Sequence, residues 1–276
     1  MESRNHHEPP GGQGVKGELR GDRLPGGRDP ASWHSRFGRF LAGAAEAVGT
    51  RLGSIPTLIL LLAGGLIVAV VLTTAFAGVY DAVTEGDGVA ELDHPLLAFA
   101  KTLRSPGLDL LATAYTDLGG TVGMPILAVL ATITLAWRRR SWTPVILIPA
   151  AALGSLLMTV SGKPFFGRSR PALSDAVPPY EHSASFPSGH ALNSIVIAGI
   201  VAYLIILRLR SRRSQYLTIA AAACFALLMG LSRVFLGHHW FTDVLAAWAL
   251  GAAWLAVVIT AHRMYLTVRH KTRAPK

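Results

Sequence analysis

Hydrophobic residues run in long blocks along this chain, separated by short polar segments. Six blocks approach the ~20 residues that an α-helix needs to cross a ~30 Å hydrocarbon layer: roughly 57–79, 120–137, 143–160, 190–207, 215–231 and 240–261. No charge interrupts the first between Thr57 and Tyr80. Strand-like alternation is absent, and only helices satisfy their own backbone groups inside an apolar layer without a closed barrel. The pattern therefore predicts an all-α fold, a six-transmembrane-helix bundle. Segment 89–118 places Leu92, Leu96, Leu97, Leu103, Leu110 and Leu111 among polar residues, with a break at Ser105-Pro106-Gly107. It predicts two short amphipathic helices lying on the outer surface.

The polar segments differ in sign, which sets an orientation. Arg138-Arg139-Arg140 separates blocks two and three; Arg208, Arg210, Arg212 and Arg213 separate four and five; Arg263, Arg269, Lys271, Arg273 and Lys276 follow the last. Between blocks one and two the acids Asp81, Glu85, Asp87, Glu91, Asp93, Asp109 and Asp117 face only Lys101 and Arg104. Short cytoplasmic loops carry the excess of Lys and Arg. Both termini are thus expected inside a plasma membrane, with 80–119, 161–189 and 232–239 outside. Composition agrees: 51% of residues are hydrophobic, 15% are charged, and mean hydropathy is +0.42. The net charge of +10 sits at block ends rather than along one stripe, which favours topology and anionic lipid head groups over nucleic acid.

Residues 1–50 are of another kind. Pro9-Pro10-Gly11-Gly12 and Pro25-Gly26-Gly27 among mixed charges predict a disordered tail up to about residue 30, with no apolar core of a signal peptide. Residues 33–50 fit an interfacial helix or a plain linker equally well. The expected division is a tail over 1–50, a membrane domain over 51–265 and a basic tail over 266–276. Cys224 is the sole cysteine, which rules out an intrachain disulfide and a cysteine metal site.

Three polar clusters interrupt the apolar pattern at equivalent ends of the predicted helices: Lys163-Pro-Phe-Phe-Gly-Arg168-Ser-Arg170-Pro171, Phe186-Pro187-Ser188-Gly189-His190, and Ser232-Arg233-Val-Phe-Leu-Gly-His238-His239-Trp-Phe-Thr-Asp243. His239 and Asp243 are four apart, so on a helix they share a face. The carboxylate can hold one ring nitrogen and leave the other with an outward lone pair, as a nucleophile or base requires. A pair of interfacial histidines with an acid at a helix start reads the third cluster equally well. His238 falls out of that register. Ser188 and Gly189 begin an apolar helix whose free N–H groups can receive an anion, with His190 in the first turn; a simple N-cap is the plainer alternative. Lys163 and Arg170 can converge on one phosphate across a helical face or a short extended turn, the guanidinium bidentately. Cations on the outer side run against the positive-inside trend, and something anionic outside would explain them.

In this order, Lys–six residues–Arg-Pro, then Pro-Ser-Gly-His, then Ser-Arg–five residues–His–three residues–Asp resembles the signature of the type 2 phosphatidic acid phosphatase family. The vanadium-dependent haloperoxidases belong to the same superfamily. The resemblance covers roughly residues 57–261. It implies that His239 attacks phosphorus to form a phosphohistidine, that Asp243 holds its ring, and that His190 protonates the leaving oxygen and then activates water. It implies also that Lys163, Arg170, Arg233, Ser188 and the Gly189 amide hold the phosphoryl oxygens. Arg168, outside the strict signature, is a supporting or head-group contact. No metal or cofactor is implied. The expected substrate is a membrane lipid phosphomonoester or pyrophosphate: phosphatidate, phosphatidylglycerophosphate or a polyprenyl pyrophosphate. Haloperoxidase relatives, binding vanadate through His239, are expected to be soluble, which six spans oppose. A catalytically silent transport or binding protein of this fold should lack a signature residue, and none is missing.

Overall fold

The computed structural model describes residues 55–271; the expectations for the tail and for 33–50 lie outside them. Among the described residues the fold is all-helical. Eight α-helices follow one another: α1 (Ile55–Glu85), α2 (Asp93–Thr102), α3 (Pro106–Asp117), α4 (Gly123–Arg139), α5 (Thr143–Phe166), α6 (Gly189–Ile206), α7 (Arg212–Phe235) and α8 (Phe241–Lys271). Two short 3-10 turns, Gly88–Leu92 and Leu173–Asp175, lie in the connections.

Among the described residues five helices are long and apolar enough to cross a membrane: Leu58–Glu85, Thr143–Phe166, Gly189–Ile206, Arg212–Phe235 and Phe241–Thr267. The second predicted span is the exception. Its helix, α4, has 17 residues, because Gly119 and Gly120 close turns onto Thr116 and Asp117 and delay the helix to Gly123. At the other end Arg140 takes a left-handed φ of 48° and stops it. Helix α8 runs through the boundary expected at 265 and reaches Lys271.

The central rod is α6. Ala191, Leu192, Val196, Ile200 and Leu204 on it are fully buried, and Ile148, Ala151, Val234, Val244, Ala247 and Val258 of α5, α7 and α8 surround them. In lipid there is no hydrophobic drive between helices, so close packing of small residues must hold them together. Gly251 of α8 lies against the Leu192 carbonyl and Ile195 of α6, where any side chain would collide. Indole N–H groups add interhelical hydrogen bonds, Trp254 to the Ala151 carbonyl at 2.9 Å and Trp248 to that of Ala226 at 3.3 Å. Helix α1 packs chiefly on α8 and leaves Leu62, Leu66, Ile67, Val70 and Val71 exposed, as a lipid-facing rod should.

The break at Ser105-Pro106 is a helix start. The Ser105 hydroxyl accepts from the Leu108 N–H and Pro106 takes the first helical position, which needs no donor. Helices α2 and α3 are the two short helices expected of 89–118. Leu97 and Ala100 are buried while Leu110 and Leu111 face out. Both helices pack on α7, and Arg104 between them donates to the carbonyls of Phe235 (2.8 Å) and Asp175 (2.7 Å). One end of the bundle is thereby roofed by polar connections.

Candidate active site

Antiparallel succession brings the C-terminal ends of α5 and α7 beside the N-terminal ends of α6 and α8. Lys163, Arg233, His190 and Asp243 occupy those ends. Helix α5 stops at Phe166 because Gly167 turns left-handed, φ 59°, and its N–H closes onto the Lys163 carbonyl. Lys163 and Arg170 are therefore related by a turn, not a shared helical face. Lys163 donates to the Ser183 hydroxyl at 2.6 Å, and Arg170 donates to the Ser183 carbonyl at 2.7 Å.

His239 is 1% exposed. Its Nε2 receives the Arg170 guanidinium at 3.2 Å; since arginine can only donate, Nε2 carries the lone pair and Nδ1 the proton. Nδ1 faces the Asp243 carboxylate at 3.3 Å and the Ser185 hydroxyl at 3.3 Å. Burial, then the positive charge of Arg170 and Arg233, holds the His239 imidazole well below its usual value, so it stays neutral. Asp243 is itself fixed: Ser185 donates to it at 2.5 Å, and the Trp240 N–H at 2.9 Å, a reach back from the first turn of α8 to its cap. His238 turns elsewhere, Nε2 donating to the Val177 carbonyl at 2.7 Å. Burial, then Arg233, lowers its pKa.

Ser188 precedes α6 at the N-cap position but makes no capping bond. Its hydroxyl is buried without a partner, a costly state unless something else fills it. This argues against the simple N-cap. His190 follows in the first turn, with Gly120 of the α3–α4 turn facing its Nε2. It is near enough to His239 and Arg233 for their charges to act on one another. Below these residues Phe186, fully buried, packs on Phe166, Phe76 and Tyr80 with ring centroids 5.0–5.8 Å apart, and this seats the Pro187-Ser188 corner.

A model of the PAP2 superfamily matches residues 143–266. Phosphatidylglycerophosphatase B of Bacillus subtilis (strain 168) is 31% identical over 167 residues, which are 60% of this chain and 80% of that protein. The crystal structure of a transmembrane PAP2-type phosphatidylglycerolphosphate phosphatase from Bacillus subtilis superposes with a TM-score of 0.63 at 28% identity, covering 69% of this chain and 93% of that one. The chain belongs to the PAP2 superfamily. The crystal structure of Aquifex aeolicus LpxE is also similar, at 26% identity and a TM-score of 0.48 over 60% of this chain and 94% of that one.

Within this PAP2 member the expected residues Lys163, Arg170, Ser188, Gly189, His190, Arg233, His239 and Asp243 lie at one end of the bundle. Of the two readings of Arg168, a supporting or a head-group contact, its geometry fits the first. Its guanidinium is occupied by Asp93 at 2.7 Å and Asp243 at 2.6 Å, so it is no head-group contact. Glu181, Ser185, Asp93 and Thr242 were missed. Glu181 ion-pairs with Arg170 at 2.7 Å and with Arg233. Burial would raise its pKa, but Arg233 and Arg170 outweigh that and push it down to about 2. Arg233, 2% exposed, also donates to Thr116 at 3.2 Å, and its Nε has no partner. Among the described residues no group of three or more His, Cys, Asp or Glu side chains could hold a metal ion.

Proposed function

We propose that this PAP2 lipid phosphatase hydrolyses the phosphomonoester or pyrophosphate of a membrane lipid through a phosphohistidine on His239. The observation that carries the reading is the pairing of a lone-pair Nε2 on His239 with the Arg170 guanidinium, beside a buried and unpartnered Ser188 hydroxyl. Nε2 attacks phosphorus and the bond to the lipid oxygen breaks, while His190, charged once the substrate's phosphate lies beside it, gives its proton to that oxygen. Neutral His190 then takes a proton from water, whose oxygen attacks phosphorus; the P–N bond breaks and inorganic phosphate leaves. Lys163, Arg170, Arg233, Ser188 and the Gly189 N–H surround the phosphoryl oxygens, where charge builds in each transition state. Donors fixed in a dry site act most strongly on such charge.

The substrate's tail stays in the bilayer and its head group enters from the extracytoplasmic side. Six spans follow if α4 also crosses, in a locally thin or tilted setting, and both termini are then cytoplasmic. The arginines after α4 and α6 support that orientation. Phosphatidylglycerophosphate stands first among head groups because of the Bacillus subtilis relative; phosphatidate and polyprenyl pyrophosphate present the same anion. Phosphate release from these three lipids in mixed micelles tests the reading. Release from at least one, lost in His239→Ala, is expected; no release from any of them would overturn it.

A further inference from the structure

The Arg168 guanidinium is spent on the protein's own groups. One nitrogen donates to Asp243 Oδ1 at 2.6 Å and to Thr242 Oγ1 at 2.7 Å; the other donates to Asp93 Oδ2 at 2.7 Å. Its plane lies over the Trp240 ring, 5.7 Å from the centroid. Asp93 closes the ring of contacts: Oδ1 accepts the Thr242 N–H at 2.8 Å and Oδ2 accepts the Thr242 hydroxyl at 2.6 Å. Asp93 is 2% exposed and Asp243 not at all. The Thr242 N–H belongs to the first turn of α8, which lacks an intrahelical partner, so Asp93 caps that helix from a different one.

This arrangement decides how Asp243 points. Oδ2 accepts from Ser185, from the Trp240 N–H and, at the longest distance, from His239 Nδ1. The histidine contact is thus the weakest hold on the carboxylate and cannot orient it alone. Arg168 on Oδ1 sets the plane, and Asp93 sets Arg168. If the carboxylate turned, His239 Nδ1–H would lose its acceptor. The proton could then move to Nε2, which has to be bare to attack phosphorus.

We propose that Asp93 and Arg168 form a clamp that positions His239 through Asp243, so that surface helix α2 takes part in the phosphoryl transfer. The clamp rests on the reading of His239 as nucleophile. Asp93→Asn keeps the shape and removes the charge that holds Arg168. The expected result is a kcat about ten- to a hundredfold lower, with KM within about twofold because no phosphate-binding group has changed. In an Asp243→Asn background the same substitution is expected to cost nothing further, because its effect runs through that carboxylate. A purely structural role would instead lower the melting temperature and subtract equally in both backgrounds. Arg168→Lys retains the charge but cannot span both acids, and it carries the same expectation if Asp93→Asn does not insert.

Unchanged kcat, a change confined to KM, or full additivity with Asp243→Asn overturns the clamp while His239→Ala remains inactive. An active His239→Ala overturns the underlying reading instead.

Discussion

Glu181 lies between Arg170 and Arg233, with one carboxylate oxygen on each guanidinium. Those are the two guanidinium groups proposed to hold the phosphoryl oxygens, and in the structure the protein's own acid pairs with both. A loop residue with no helical register thereby neutralises charges that would otherwise repel within a buried space. The incoming phosphate has to share or displace that carboxylate.

The ion pairs of Glu181 make a pH-dependent contribution to stability. Its pKa is lowered in the folded protein to about 2 from 4.5, so the unfolded chain takes up the proton first as pH falls. The contribution is complete above about pH 4.5, declines below it, and is gone near pH 2. Thermal unfolding in detergent should show wild type above Glu181→Gln at neutral pH, with the gap closing through that window. A gap constant down to pH 3 would mean the ion pairs do not set it.

Glu181→Gln should also relieve the like-charge conflict with an arriving anion. Inorganic phosphate is expected to inhibit this variant at a roughly tenfold lower concentration. Competition against lipid hydrolysis measures it, and weaker inhibition would show that Glu181 assists binding.

Ser188→Ala separates stability from activity. Its hydroxyl is buried without a partner, so removing it should leave the melting temperature unchanged or raise it. If the hydroxyl donates to a phosphoryl oxygen in the transition state, kcat falls roughly a hundredfold. Loss of both together would mark a structural serine.

As the proposed nucleophile, His239 should set the acid limb of the reaction. Its burial and the neighbouring arginines keep the ring neutral below the ordinary histidine value of 6.5, so the acid limb of kcat/KM should lie below that pH. Arg170→Gln removes one of the charges holding it down and should move the limb upward, along with a loss of binding. His239→Ala should lose about ten-thousandfold or more and form no acid-labile phosphoenzyme in a rapid-quench assay.

The order of helices and most of the site could be read from the chain because each depends on local spacing. Periods of apolar residues mark the rods, and His239 does meet Asp243, but from the bend that precedes α8 rather than from a shared helical face. The second block reads as beginning near residue 120 rather than at Gly123, because hydropathy does not register the Gly119-Gly120 turn that consumes its first residues. Asp93 reads in the sequence as one more outer acid, and Glu181 belongs to none of the three polar clusters. Each is defined by a partner far along the chain, Thr242 for one and Arg233 for the other. Such pairings are created by packing and leave no periodic trace. Arg168 stays open between a supporting and a head-group contact for the same reason: nothing beside it in sequence reveals the two acids it joins.

Gly167 gives the loop its division of labour. A single backbone torsion, φ 59°, releases the chain from α5 so that two arginines two residues apart serve different masters, Arg168 the scaffold's acids and Arg170 the Nε2 side of His239. Open space surrounds the missing side chain, so the demand there is on dihedral freedom rather than room. The chemistry at one end of a membrane bundle thus hangs on the least adorned residue in its motif.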